Sequence, residues 1–289
     1  MFHELQIFEN PEAILLVASI IFFFSIIAGK AGFRFGLPAL LLFLGVGMLF
    51  GSDGLGIQFS NPSAAQFIGM LALSIILFSG GMDTKMSEIK PIATEGVVLA
   101  TVGVLLTTLI TGGFIYYVFL WSTGYETLTV AESMLMAAVM SSTDSASVFS
   151  ILRSKGVYLK QRLRPTLELE SGSNDPMAYM LTLLIIAYIQ VGGMNLQEAV
   201  LQLLVQLSVG AIAGFLLGKL AVLMINKINM DNESLYPILL LTTAFFTFSA
   251  TTLCKGNGYL AVYIAGLVVG NAKIVHKKSM GTFFDGFAW

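Results

Sequence analysis

Polar positions in this chain are few and bunched, and the stretches between them are apolar on every side. The segment "AILLVASIIFFFSIIAG" at 13–29 shows the pattern: it has neither an alternation of period two nor a single apolar stripe. Helices that are apolar all round belong in a core or a bilayer, and a hydrocarbon layer about 30 Å thick takes roughly 20 such residues per helix. Blocks of this kind recur at 12–29, 34–51, 63–81, 91–120, 130–152, 165–191, 196–226, 233–253 and 258–274. Short polar breaks separate them, among them "FSNPS" at 59–63 and "NMDNES" at 229–234. Lipid offers the backbone no hydrogen-bond partners, so all nine spans are predicted as helices. The last stretch, "SMGTFFDGFAW" at 279–289, reads as the start of a tenth element and leads to the expectation of a truncated chain or a short amphipathic tail. The expected fold class is an all-α polytopic membrane protein with a single transmembrane domain over 1–289.

Composition supports this. The chain is 56% hydrophobic and 11% charged, where soluble domains are about a quarter charged. The net charge of −2 says little, and no nucleic-acid partner is expected. One cysteine, Cys254, excludes an intramolecular disulfide, and His3 and His276 are too far apart in sequence to suggest a metal cluster. The start, "MFHELQIFENPEAILLV", has no basic n-region and no small-residue cleavage site, so it is not read as a cleavable signal.

The distribution of charge adds an orientation. Fourteen of the 15 Lys and Arg residues fall at odd-numbered breaks: Lys30 and Arg34, Lys85 and Lys90, the cluster Arg153 to Arg164, Lys219 and Lys227, then Lys273, Lys277 and Lys278. Lys255 is left for the even ones. Basic loops stay in the cytoplasm, which places the N-terminus outside. The cluster at 153–164 anchors topology and is also suited to anionic lipid headgroups.

Ionisable side chains inside a span cost about 2.5–3.5 kcal/mol each on insertion scales, and they mark function more often than not. The sixth span opens with "LELESGSNDP", which holds Glu168, Glu170, Asn174 and Asp175. Glu168, Ser171 and Asp175 are spaced three and four apart on one helical stripe, and Glu170 and Asn174 share the next. Pro176 removes an amide and frees the carbonyl of Gly172, so this wall of oxygens is expected to be half unwound. Glu168 and Glu170 are equally open to a structural reading as acids held in salt bridges. Asp175, deepest and beside Asn174, is the first candidate for a binding carboxylate.

The fifth span carries "MAAVMSSTDSASVFSIL", in which Ser141, Ser142, Thr143, Ser145 and Ser147 crowd around Asp144. These side chains compete for backbone hydrogen bonds, and a helix break is expected there. Broken helices aim dipole ends and free carbonyls at one point, the arrangement of ion sites at the bilayer midplane. Weaker features have plainer readings. Gly45, Gly47 and Gly51, like Gly210, Gly214 and Gly218, have the spacing of close helix packing. Gly80-Gly81 reads as the end of the third span, where a C-cap is the plainer role, although Ser79 beside it could reach a site.

With "STD" in the fifth span and "ELESGSND" in the sixth, the chain resembles the monovalent cation:proton antiporters of the CPA superfamily, NhaP-like branch, and within it the bacterial potassium/proton antiporters. "LPALLLFLGVGMLFG", "LFSGGMDT", "GYLAVYIAGLVVGN" and "FFDGFAW" follow the same family pattern, so the resemblance runs over nearly the whole chain. It implies an inverted-repeat antiporter fold with discontinuous crossing helices. Residues 12–191 would form a first six-helix unit and 196–289 an incomplete second half. It implies exchange of K+ or Na+ for protons at Asp175, with Asn174 as its partner, Thr143 and Asp144 in the unwound segment, and Ser171 as a coordinating hydroxyl. The cation is then expected at Asp175, Thr143 and Ser171. Glu170 matches the acid that pairs with a basic residue on a later helix. A homodimer in the bacterial cytoplasmic membrane is implied, with no cofactor and no enzymatic activity.

Two departures stand out: Ser79 occupies a position where several relatives carry an acid, and a second broken helix is not found before Trp289. On the mechanism, proton and cation compete for one carboxylate, whose proton affinity rises with desolvation, and Asn174 in place of a second acid goes with electroneutral exchange. Two alternatives remain at this stage. One is an intramembrane aspartyl protease using Asp144 and Asp175, although neither lies in a "GxGD"-like sequence. The other is a non-transporting fragment.

Overall fold

The computed structural model describes residues 11–35, 37, 39–52, 54–57, 59–123, 128–144, 148, 152, 159–160, 162–193 and 195–288. The expected hydroxyls of Ser145 and Ser147, and the cations Arg153 and Lys155, lie outside these. The helices are α1 (Pro11–Phe35), α2 (Ala39–Phe50), α3 (Pro62–Asp83), α4 (Met86–Thr123), α5 (Val130–Val139), α6 (Leu163–Val191), α7 (Leu196–Lys227), α8 (Leu235–Leu253), α9 (Gly258–Asn271) and α10 (Lys277–Ala288). No strand occurs among the described residues. Among the described residues, five helices are long and apolar enough to cross a membrane: Glu12–Gly32 within α1, then α3, α4, Gln197–Lys227 within α7, and α8. At 1.5 Å per residue, the 14 residues of α9 span only about 21 Å.

The helices divide into two compact units. The first holds residues 1–67 and 144–160. In it α1 and α2 fold back on each other, with the amide of Leu37 bonded to the carbonyl of Gly32 at 3.0 Å and the rings of Phe24 and Phe50 centred 5.7 Å apart. The close packing expected at Gly45 and Gly47 is not seen, because a Cβ at either would meet nothing within 4 Å.

The second unit holds residues 68–143 and 161–289, and its core forms around α9. Val262, Ala265 and Val269 of α9 are fully buried together with Phe78 of α3, Leu240 and Ala244 of α8, and Met280 of α10. The glycines Gly210, Gly214 and Gly218 of α7 do have the packing role expected of them. A Cβ at Gly210 would lie 2.8 Å from the carbonyl of Asn257, and one at Gly214 or Gly218 would lie 2.8 or 3.0 Å from the Cα of Ala261 or Ala265. The four-residue steps on α7 thus match four-residue steps on α9, backbone against backbone. A second seam joins α9 to α3, where Gly81 faces the carbonyl of Tyr263, and Gly266 and Gly270 face those of Phe78 and Met82.

That seam corrects the reading of Gly80-Gly81 as a helix end. The helix α3 runs through both to Asp83, and Ser79 is a buried mid-helix residue, 5% exposed. Gly81 is there to admit another backbone, not to stop its own. The fourth span is one helical rod with two irregularities: a 3₁₀ turn at Lys90–Ile92, where Pro91 has no amide to donate, and a π segment at Leu99–Gly103.

The sixth span also differs from expectation. It is not half unwound: α6 is helical from Leu163 to Val191 with Pro176 inside. A proline removes one amide and leaves the remaining ladder intact, and Leu169, Met177, Ala178, Met180 and Leu181 are buried along this helix. Packing on both sides of the proline holds the helix together. The fifth span breaks as expected, since α5 ends at Val139 and Ser141–Asp144 have no regular structure.

The glycine seam generates a test. Gly214→Val should destabilise the protein by about 1–3 kcal/mol through overpacking, read as a lower midpoint of thermal unfolding in detergent. Gly45→Ala, with open space around it, should stay within about 0.5 kcal/mol of the parent.

Candidate functional site

The site is built where the irregular segment after α5 meets the middle of α6. A capping box fixes the start of α5: the Thr129 hydroxyl accepts from the Glu132 amide at 3.2 Å, and the Glu132 carboxylate accepts from the Thr129 amide at 2.8 Å. Ten residues later the helix stops, and Ser141 turns its hydroxyl back to the carbonyl of Ala138 at 2.7 Å. The backbone that follows has lost its helical partners, and α6 supplies others. The Thr143 carbonyl accepts from the Ser171 hydroxyl at 3.0 Å and from the Asn174 amide at 3.3 Å.

Asn174 is the centre of this contact and is fully buried. Its Nδ2 also donates to the Thr143 hydroxyl at 2.6 Å and to Glu170 Oε1 at 2.9 Å. The Thr143 hydroxyl in turn donates to the Glu170 carboxylate, 3.0 and 2.9 Å from its two oxygens. Ser142 donates to Asp175 Oδ1 in a short hydrogen bond, and its oxygen lies 3.3 Å from Asn174 Oδ1. Five of the residues singled out from sequence therefore converge: Thr143, Glu170, Ser171, Asn174 and Asp175. Carboxylate, carbonyl, amide and hydroxyl oxygens gather within two turns of α6, a donor set suited to a hard monovalent cation.

Glu168 is placed differently. It sits one turn from the start of α6 and pairs with Arg164, Nε to Oε1 at 2.8 Å, in a half-exposed i,i+4 bridge. Asp144 follows Thr143 with an exposed side chain. Ser142, counted among the hydroxyls of the fifth span but given no role, is the residue that touches Asp175. Asn257 was missed altogether. Its side-chain amide donates at 2.9 Å to the carbonyl of Pro176, the residue after Asp175. Its one local signal is the N-cap position before the apolar run of α9, and nothing in the sequence ties it to a proline 81 positions earlier.

Long apolar helices and an oxygen-rich contact centred on the buried Asn174 define a multi-pass membrane protein with a polar site. The family described as "Sodium/hydrogen exchanger, transmembrane" matches residues 12–288, and the chain belongs to that family. It is 38% identical over 282 residues to the K(+)/H(+) antiporter NhaP of Alkalimonas amylolytica, covering 97% of this chain and 48% of the relative. It is 35% identical over 284 residues to the K(+)/H(+) antiporter NhaP2 of Shewanella sp. (strain ANA-3), again over 97% and 48%. The chain thus spans about half the length of these relatives. The solved structure of the sodium proton antiporter MjNhaP1 from Methanocaldococcus jannaschii at pH 8 matches with a TM-score of 0.76 and 22% identity, over 95% of this chain and 66% of that one. The fold is therefore the all-α antiporter fold. The family is one of transporters, and the comparisons give no support to a peptidase built on Asp144 and Asp175.

Glu170 and Glu168 predict contrasting behaviour. Thr143→Val removes the hydroxyl that links the unwound segment to Glu170 and should cost about 1–3 kcal/mol of stability. Arg164→Ala breaks an exposed pair and should cost about 0–1 kcal/mol. Thermal unfolding of both variants in the same detergent checks the difference.

Proposed function

We propose that the protein carrying this chain exchanges a monovalent cation for a proton, with both competing for Asp175. The observation that supports this most is the contact of the unwound Ser142–Thr143 segment with Asn174 and Asp175. A carboxylate binds a proton or a cation but not both at once. Hydroxyls of Ser142, Thr143 and Ser171, the Asn174 oxygen and the freed Thr143 carbonyl supply further ligands in place of water. Asn174 contributes a dipole where a second acid would contribute a charge, so one charge is exchanged per cycle and transport is electroneutral. Glu170 is held by Thr143 and Asn174 and acts as the structural acid of the site. Asp144 orients the unwound segment.

The relatives named as K(+)/H(+) antiporters favour K+ as the cation, with Na+ as the alternative. The same reading places the protein in the bacterial inner membrane as a homodimer in contact with lipid. Its N-terminus would lie outside, residues 12–191 would form a first repeat, and 196–289 would begin a second.

Cation-driven proton movement in everted vesicles tests the proposal, using the full natural chain that carries this sequence in a strain without antiporters of its own. K+ should dissipate the proton gradient, and Asp175→Asn should reduce the response to background. Exchange that survives Asp175→Asn would remove Asp175 from the mechanism. A rate that changes with an imposed membrane potential would contradict electroneutrality.

A further inference from the structure

Asn257 is buried, 4% exposed, and joins three helices. Its backbone amide bonds to the carbonyl of Gln206 in α7 at 3.0 Å. Its Oδ1 accepts from the Leu260 amide at 3.0 Å and caps α9. Its Nδ2 donates to the carbonyl of Pro176 in α6 at 2.9 Å. Capping requires only a side-chain acceptor, and serine, threonine or aspartate serve as well. The donor half of the amide has no part in the cap, and it is aimed at the residue next to Asp175.

Pro176 makes that contact consequential. Its ring fixes φ near −65°, so a hold on its carbonyl is passed through the ring to the Asp175–Pro176 peptide. The residue before a proline is pushed toward extended backbone, yet Asp175 is helical. Pro176 is itself fully buried.

We infer that Asn257 is a positioning residue for the Asp175 carboxylate: its side-chain amide anchors the Pro176 carbonyl to the buried start of α9 and so keeps Asp175 directed at Ser142. This rests on the reading of Asp175 as the exchanging group. It assigns α9 a part in the ion site although α9 contributes no ligand.

Asn257→Ser in the full natural chain, reconstituted in proteoliposomes, separates the two halves of the amide, since serine keeps the capping acceptor and loses the donor. The expected result is a displaced pH profile of exchange and a half-saturating cation concentration raised about tenfold, as for other partners that orient ion ligands, with thermal unfolding in detergent close to the parent. Should the serine variant fail to fold, Asn257→Asp keeps the acceptor and the volume and removes the donor, and the same displacement is expected. A folded variant with the parental pH profile and half-saturation overturns the inference, as does failure of both variants to fold. Asp175→Asn measured alongside distinguishes the causes. Exchange retained there sinks the reading of Asp175 and this inference together, whereas its loss beside a parental Asn257→Ser sinks the inference alone.

Discussion

Unwound backbone inside a membrane protein has to find its hydrogen bonds within the protein, because each unsatisfied group in apolar surroundings costs several kcal/mol. In this chain the debt falls on the segment after Val139, and Asn174 and Ser171 meet it at the carbonyl of Thr143. The rest of the site follows from that contact. Asn174 has to be buried to reach the carbonyl, and Glu170 and Thr143 then satisfy its remaining donor capacity. Asp175, next along the helix, meets Ser142, next along the segment. The alignment holds only while α6 stays helical through this region, which makes its continuity across Pro176 part of the site's geometry.

Hydroxyl groups make the same point by contrast. Ser74, Thr182, Thr243 and Thr252 each bond to the carbonyl four residues back. That habit lets an apolar helix carry serine and threonine without calling on a neighbour. Ser142, Thr143 and Ser171 instead bond to groups 27 to 33 positions away. Composition alone treats these hydroxyls as equal, whereas their partners divide them into those that serve a helix and those that join two segments.

Apolar blocks of bilayer length were legible because lipid imposes one structure on them, and the helices fall within about six residues of the predicted spans except for the fifth, predicted over 130–152, where α5 covers Val130–Val139. The break at Ser141–Asp144 was legible too, since five hydroxyl residues around an aspartate weaken a helix wherever they occur. Continuity of α6 was not, because Pro176 carries a local signal for disruption and the counterweight is buried packing and a contact with Asn257, 81 residues on. Gly80-Gly81 failed for a related reason: a glycine that ends a helix and a glycine that admits another backbone look the same in sequence. Gly45 and Gly210 share one spacing motif as well, and only at the second would a Cβ meet a neighbouring main chain.

The glycine seams have a mechanical meaning. At the glycines along two faces of α9, main chain lies directly against main chain. A Cβ at Gly210, Gly214 or Gly218 would run into the main chain of Asn257, Ala261 or Ala265. The spacing of α3, α7 and α9 is therefore set at these points, where no residue bulkier than glycine fits.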